Sequence, residues 1–110
     1  MNEDELKRTI DKLHADYASR LPRTVARMED LWRRLVAAEI PLTQLEDLVR
    51  MAHSITGSGA TFGLPSASRV ARELELVLEQ LKESARQPGP AEQKAVLALL
   101  AALRQAAVRP

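Results

Sequence analysis

The sequence predicts an all-α fold: an antiparallel up-and-down four-helix bundle with an additional or kinked helical segment at its N-terminus. Apolar residues recur every three or four positions along nearly the whole chain, and strand-like alternation is absent. Prolines and glycines cluster in short connections, which favour antiparallel neighbours. The chain has only one Trp, one Tyr and one Phe, so aliphatic side chains must fill the core. At this length we expect one domain, residues 1–110.

The first helical segment begins at Asn2, whose side chain can cap it, and acidic residues in its first turn suit the positive end of a helix. Its apolar stripe is Leu6, Ile10, Leu13, Tyr17 and Leu21. Pro22 lacks a backbone donor and clashes with the preceding turn, so the sequence predicts a kink or a helix restart there. The second segment resumes the spacing and ends before Pro41, which disfavours helix at the preceding residue.

The remaining helices are marked by their start and stop residues. Thr43 followed by Glu46 has the spacing of a capping box and predicts the start of the third segment. Gly63 can close that segment, and Pro65 suits the first turn of the next, expected over residues 65–85. Pro90 begins a last, alanine-rich helix. The side chains expected in the core are Leu45, Leu48, Val49, Ala52, Ile55, Thr56, Val70, Leu74, Val77, Leu78, Leu81, Val96, Leu97, Leu100 and Leu103.

Composition and charge exclude several classes of function. A formal net charge of +1 gives no electrostatic case for nucleic acid or a membrane surface as partner. The absence of cysteine excludes disulfides, thiol catalysis and cysteine-ligated metals, and fits a reducing compartment. The longest apolar run, residues 95–103, has about half the length of a membrane span, and the acidic N-terminus lacks the apolar core of a secretory signal. We therefore expect a cytoplasmic protein that is monomeric as an isolated domain.

Other chemistries lack the residues that they need. The segment "GSGATFG" departs from the dinucleotide fingerprint by one residue and follows no strand. His14 and His53 are far apart in the sequence, so no metal site is expected. Ser54 adjoins His53 but points elsewhere on a helix, which excludes a nucleophile–base pair. A row of arginines is interpreted either as a solvated face or as a docking surface for an acidic partner: Arg20, Arg23, Arg27 and Arg34.

The most unusual feature is a histidine just before three glycines, in "MAHSITGSGATFG". His53 falls about 80–100° from the centre of the buried stripe, so its ring should be anchored at one edge and reach solvent at the other. Gly57 and Ala60 follow on the same flank, leaving the imidazole without a bulky neighbour. Glycine in a helix costs about 0.8–1.0 kcal/mol relative to alanine, which the close approach of another backbone would explain. Two interpretations remain open: tight packing within the bundle, or the approach of another molecule to a reactive imidazole.

The same residues resemble a known family. The stretch "AHSITGSGATFG" is similar to the signature of histidine-containing phosphotransfer (Hpt) domains, most closely the phosphotransfer domain of chemotaxis histidine kinases. The matching positions are Ala52, His53, Ile55, Gly57, Ser58, Gly59, Phe62 and Gly63. The similarity continues through "LPSASRVARELE", and the helical plan covers the whole chain. The resemblance implies a four-helix core with the phosphoacceptor histidine exposed in the middle of a helix.

By this resemblance His53 is the phosphoacceptor, and Glu75 on the next helix hydrogen-bonds its inward nitrogen and fixes the tautomer. Without the resemblance, Glu75 would be interpreted as a solvated helix charge. The family's lysine, three residues after the histidine, is Thr56 here. Arg50 or Arg72 is expected either to supply the missing positive charge or to be solvated. The residues expected to meet a partner are Arg50, Ile55, Thr56, Gly57, Ala60 and Arg72.

The sequence therefore predicts a phosphocarrier of a two-component or chemotaxis-type phosphorelay. His53 would accept a phosphoryl group from the ATP-binding domain of a histidine kinase, or from a receiver aspartate, and pass it to the aspartate of a response-regulator receiver. No cofactor is expected in this domain, because ATP and Mg²⁺ would come from the partners. No autonomous catalysis is expected, and the chain is either a free-standing carrier or part of a larger histidine kinase. The alternative is a helical interaction module whose histidine is never phosphorylated.

Overall fold

The computed structural model describes residues 2–108, and within that range it contains four α-helices and no strands. The helices are α1 (Glu3–Val36), α2 (Leu45–Ser58), α3 (Pro65–Ser84) and α4 (Pro90–Ala106), with a 3₁₀ turn at Leu42–Gln44. α2 packs mainly on α3, α3 packs on α4, and α1 closes the bundle by contacting α2 and α4. The predicted all-α four-helix bundle is confirmed. None of the described helices is long and apolar enough to cross a membrane.

Most helix ends follow the residues that mark them in the sequence. At the start of α1 the Asn2 side chain accepts a hydrogen bond from the Glu5 backbone N–H at 2.8 Å. Pro65 and Pro90 occupy the first positions of α3 and α4, where the missing N–H removes no helical hydrogen bond. Gly63 ends the helical turn that follows α2, and its φ of 87° is a conformation that glycine adopts without strain. The predicted starts of α1, α3 and α4 are confirmed, whereas α2 ends at Ser58, five residues before the predicted end at Gly63.

Of the two outcomes predicted at Pro22, a kink or a helix restart, the structure excludes the restart. α1 continues through the proline as one helix of 34 residues. Leu21 and Val25 are buried on either side of the proline turn. Their packing against the bundle holds the helix together across the hydrogen bond that the proline cannot make.

The start of α2 also differs from the prediction. Thr43 lies in the 3₁₀ turn rather than at a helix cap, so the capping box with Glu46 does not form. α2 begins at Leu45 without a side-chain cap. The backbone N–H of Gln44 bonds instead to the carbonyl of Pro41 at 3.0 Å. Hydrogen bonds of this 3₁₀ type satisfy backbone groups that a capping side chain would otherwise serve.

The core is aliphatic apart from the single tryptophan, Trp32, which is buried near the end of α1. The other fully buried apolar residues include Met28, Leu35, Leu45, Leu48, Ala52, Ala71, Leu74, Leu78, Leu81, Val96, Leu100 and Leu103. Among the predicted core positions, Thr56, Val49, Val70 and Val77 are only partly buried. Leu97 is 58% exposed, because it lies about 90° around α4 from the face that the other core residues of that helix share.

The N-terminal part of α1 extends beyond the bundle. A helix of 34 residues is about 50 Å long, whereas the other three helices measure about 20–30 Å. The molecule is accordingly 54 Å long and only 21–23 Å across. Leu6, Ile10 and Leu13 are 42–50% exposed, while Leu21 is buried. We call residues 3–13 the α1 extension.

Candidate functional site

His53 projects from α2 into solvent, with 71% of its side chain exposed. Its Nδ1 lies 2.6 Å from Oε2 of Glu75, on α3. A carboxylate can only accept a hydrogen bond, so Nδ1 carries a proton and donates it, and in the neutral ring the lone pair is on Nε2. From the residues alone this cross-helix contact was only a geometric possibility, and the structure contains it. The pair presents an imidazole held in one tautomer with Nε2 as its nucleophilic atom.

Glu75 is the one charged residue that is buried in the described part of the chain, with 4% of its side chain exposed. It sits beside Leu74 on the face of α3 that packs into the bundle. Its second oxygen, Oε1, makes no hydrogen bond, and Nη1 of Arg72 lies 3.6 Å from it. A buried carboxylate destabilises a fold unless it is paired and hydrogen-bonded. Among residues 2–108 the one hydrogen bond of the Glu75 side chain is with the histidine, which favours a role toward that ring rather than in stability.

Gly59 and Gly57 support different interpretations: Gly59 allows tight packing within the bundle, and Gly57 leaves space for another molecule. A Cβ added to Gly59 would lie 3.0 Å from the backbone nitrogen of Ser68 and 3.1 Å from the carbonyl oxygen of Leu64. Gly59 therefore allows the end of α2 to approach the start of α3 closely. A Cβ added to Gly57 would meet nothing within 4 Å, so this position is open to another molecule. Ala60 is exposed as well, and the flank beyond the histidine is bare.

One residue of the predicted partner surface does not belong there. Ile55 is 3% exposed and forms part of the core, so it cannot meet a partner directly. Its direction explains this, because at 100° per residue it lies about 160° around α2 from His53, on the side of α1.

Arg50 and Arg72 are the two candidates for the positive charge that the family's lysine would supply, and the structure distinguishes them by their contacts. Thr56 is half-buried, and its hydroxyl donates to a carbonyl of its own helix one turn earlier, at 2.9 Å. Arg50 forms an ion pair with Asp47 at 3.2 Å, also within α2. Arg72 is 58% exposed and stands next to the carboxylate of Glu75. Of the two candidate arginines, Arg72 is the one whose side chain lies beside Glu75, the residue hydrogen-bonded to His53.

Three contacts that position α2 and the turn after it could not be found from the sequence. Ser68 Oγ, on α3, donates to the backbone carbonyl of Thr56 at 2.6 Å. On the other side, the Tyr17 hydroxyl hydrogen-bonds Ser58 Oγ at 2.8 Å, and its ring stacks on Phe62 with centroids 4.9 Å apart. Helical spacing does not distinguish a serine that bonds across helices from one that faces solvent, so the pattern carries no signal for these contacts.

The comparison with protein families matches one of them, the Hpt domain, over residues 5–106. The chain belongs to the Hpt domain family. The matched range includes α1 from its third residue, the whole of α2, α3 and α4, and the His53–Glu75 pair. A search of curated proteins and a search of solved structures give no significant match. Hpt domains serve histidine phosphotransfer in phosphorelays, with kinases and receiver domains as partners.

Proposed function

We propose that this Hpt domain is a phosphocarrier of a two-component or chemotaxis-type relay, with His53 as its phosphoacceptor. The observation that carries the proposal is the 2.6 Å contact between Nδ1 of this exposed histidine and the buried carboxylate of Glu75. An exposed imidazole suits a group that must meet two partners in turn. The donor is the ATP-binding domain of a histidine kinase or a phosphorylated receiver aspartate, and the acceptor is the aspartate of a response-regulator receiver. Because such a kinase uses ATP, we place the domain in the cytoplasm.

The transfer needs positioning and charge stabilisation more than covalent help from this domain. Nε2 of His53 attacks the phosphorus, an N–P bond forms, and the donor oxygen leaves with the electron pair of the broken P–O bond. The ring then carries a positive charge, which Glu75 stabilises through the hydrogen bond from Nδ1. In the second step a carboxylate oxygen of the receiver attacks the phosphorus, and the electron pair of the N–P bond returns to Nε2. Nδ1 keeps its proton throughout, so Glu75 is a positioning residue.

The surface around the histidine matches this use by two partners. Gly57 and Ala60 leave space on its C-terminal side, where the loops of a partner domain can reach Nε2. Arg72 supplies positive charge for the phosphoryl oxygens in the place of the absent lysine, and Arg50 is held in an ion pair with Asp47. Thr56 contributes packing and no charge. ATP and Mg²⁺ belong to the partner domains.

Phosphorylation of His53 is tested with a histidine kinase and radiolabelled ATP, and separately with phosphoramidate as a small donor. We expect a label that is labile in acid, stable in base and lost in His53→Gln. The chain has two histidines, so His14→Gln is the matched control and should keep the label. Label that persists in His53→Gln would overturn the assignment. Folded protein that no donor labels would support the alternative, an interaction module.

The role of Glu75 is tested with Glu75→Ala and Glu75→Gln. The alanine variant should accept the phosphoryl group about 10- to 100-fold more slowly, by analogy with the loss seen when the residue that orients a metal-ligating histidine is removed. Glutamine can still accept from Nδ1 through its amide oxygen, so it should retain more activity. Nitrogen NMR of the ring should show the proton on Nδ1 in the parent protein and its loss from Nδ1 in the alanine variant. Unchanged kinetics together with an unchanged tautomer would remove the positioning role.

A further inference from the structure

The α1 extension carries an apolar stripe that nothing in the described structure covers. Leu6, Ile10 and Leu13 are each 42–50% exposed. Their spacing of four and then three residues continues to Tyr17, and this is the spacing with which one helix packs along another. Single exposed leucines are normal on a protein surface, but a contiguous row along one helix face marks a contact surface.

The same face of α1 continues into a groove on the bundle. A cavity of about 450 Å³ lies between α1 and α2. On α1 it is lined by Tyr17, Arg20, Leu21, Thr24 and Arg27. At 100° per residue, the mean direction of these five positions lies within about 10° of the mean direction of the three apolar residues of the extension. The apolar residues of the α1 extension and the groove between α1 and α2 therefore lie one after the other along the same side of α1.

This arrangement is self-complementary about a two-fold axis. When two α1 helices pair antiparallel through this face with the axis near Tyr17, residues whose numbers add up to about 34 lie at the same level. Ile10 of one copy is then level with Thr24 of the other, in the middle of the groove. Leu6 is level with Arg27, at the far end. Each extension fills the groove of the other copy, so the same pair of surfaces forms both contacts.

The charges along the groove match the extension of a second copy. Arg20 and Arg27 line the groove, no acidic residue lines it, and within residues 2–108 neither arginine has a carboxylate at ion-pair distance. In the antiparallel pair Arg27 faces Glu5 of the second copy, and Arg20 faces Asp16. At 100° per residue these two carboxylates lie on the same side of the apolar stripe as the two arginines. Such complementarity fixes the direction and register of the pairing.

We propose that this chain forms an antiparallel homodimer in which the α1 extension of each copy lies in the groove between α1 and α2 of the other. The proposal departs from the expectation of a monomer, since the sequence alone does not show that α1 extends past the bundle. His53 remains accessible, because the mean direction of the groove-lining residues of α2 lies about 150° around that helix from it. The inference does not depend on phosphorylation of the histidine.

Sedimentation velocity from low to high micromolar concentration tests the proposal on the whole chain. We expect an equilibrium between monomer and dimer. Ile10→Gln should raise the Kd of the dimer about tenfold or more. Leu97→Gln removes a leucine of similar exposure outside the proposed interface and is the matched control, which should leave the Kd unchanged. Because glutamine is a good helix former, circular dichroism should show unchanged helix content in both variants.

The charges and the register are tested separately. Glu5→Arg and Arg27→Glu should each weaken the dimer, and combining them should restore it. Since the chain has no cysteine, a mixture of Ile10→Cys and Thr24→Cys proteins should form a disulfide-linked dimer under oxidation that neither protein forms alone. A monomer at every concentration would overturn the proposal, and so would a dimer that Leu97→Gln dissociates and Ile10→Gln does not. Extension variants that lose only the binding of a receiver domain would also overturn it and assign the surface to that partner.

Discussion

Gly57 and Gly59 offer a pair of substitutions with opposite expected effects on stability. Replacing either residue with alanine removes the cost of a glycine in a helical turn, about 0.8–1.0 kcal/mol in a helix interior. At Gly57 nothing opposes this gain, because outside its own turn of α2 the added Cβ meets no atom within 4 Å. Gly57→Ala is therefore expected to raise the free energy of unfolding by about 0.5–1 kcal/mol, the lower values applying because it lies in the last turn of α2.

At Gly59 the added Cβ meets three backbone atoms at 2.9–3.1 Å, and two of them belong to the segment that begins α3. Backbone atoms cannot rotate away as the end of a flexible side chain can, so α2 and α3 must move apart. Overpacking of this kind costs about 1–3 kcal/mol. Once the gain in helix propensity is subtracted, Gly59→Ala is expected to lower the free energy of unfolding by about 1–2 kcal/mol.

Urea unfolding measures both effects, at one fixed protein concentration so that self-association does not change the comparison. Circular dichroism reports the helices, and the fluorescence of Trp32, which is 2% exposed, reports the core. The two variants should shift the urea midpoint in opposite directions with an unchanged m-value. Gly57→Ala should also slow transfer from a partner domain while leaving labelling by phosphoramidate unchanged. Gly59→Ala as stable as the parent, or Gly57→Ala less stable than it, would refute the reasoning.

Four further substitutions test smaller features. Ala38 has a φ of 58° just past the end of α1, in a Schellman motif, so Ala38→Gly should raise the free energy of unfolding by about 1 kcal/mol in the same urea assay, and a loss would contradict this. The backbone N–H of Gly89, together with a neighbouring arginine, holds the pKa of Glu92 below its ordinary value. Because the folded-state pKa lies below the unfolded one, this carboxylate stabilises the fold above its unfolded pKa and stops doing so as the pH falls through the folded pKa. Between neutral pH and about pH 3 the free energy of unfolding should therefore fall more in the parent protein than in Glu92→Gln. Equal losses would show that the charge of Glu92 does not stabilise the fold. Arg72→Gln should slow phosphoryl transfer about tenfold and Arg50→Gln should have little effect, whereas equal rates would place the stabilising charge elsewhere.

The fold could be predicted because its signals are local. Helical spacing of apolar residues gives the helices, and Pro65 and Pro90 mark two of their starts. Pro22 shows where such signals fail, since a proline weakens a helix locally while burial of its neighbours along the bundle keeps the helix continuous. The capping box before α2 does not form for a different reason: a favourable pattern such as that of Thr43 is one of several ways to satisfy the first backbone groups of a helix.

The candidate site was predictable to the extent that it lies on one helix. Gly57 and Ala60 follow His53 by one and two turns, so their shared flank can be read from spacing alone. Glu75 is different, because its direction toward another helix depends on how α3 is rotated and how closely it approaches α2. Spacing alone interprets it as a solvated charge, and only the family resemblance assigned it to the histidine. Close approach of the two helices depends in turn on Gly59, whose packing role no pattern separates from that of Gly57.

Two residues around the histidine, Glu75 and Gly57, reduce the stability of the bundle, and this distinguishes the site from the rest of the structure. Glu75 is buried with one oxygen that makes no hydrogen bond, and an apolar side chain of similar volume would suit its surroundings in α3 better. Gly57 weakens α2 without relieving any contact. Neither residue is needed for the four helices to pack. Both residues are explained if the imidazole of His53 must keep one tautomer and remain open to a partner. Glu75 meets the first requirement through its hydrogen bond with Nδ1, and Gly57 meets the second by leaving space beside the ring.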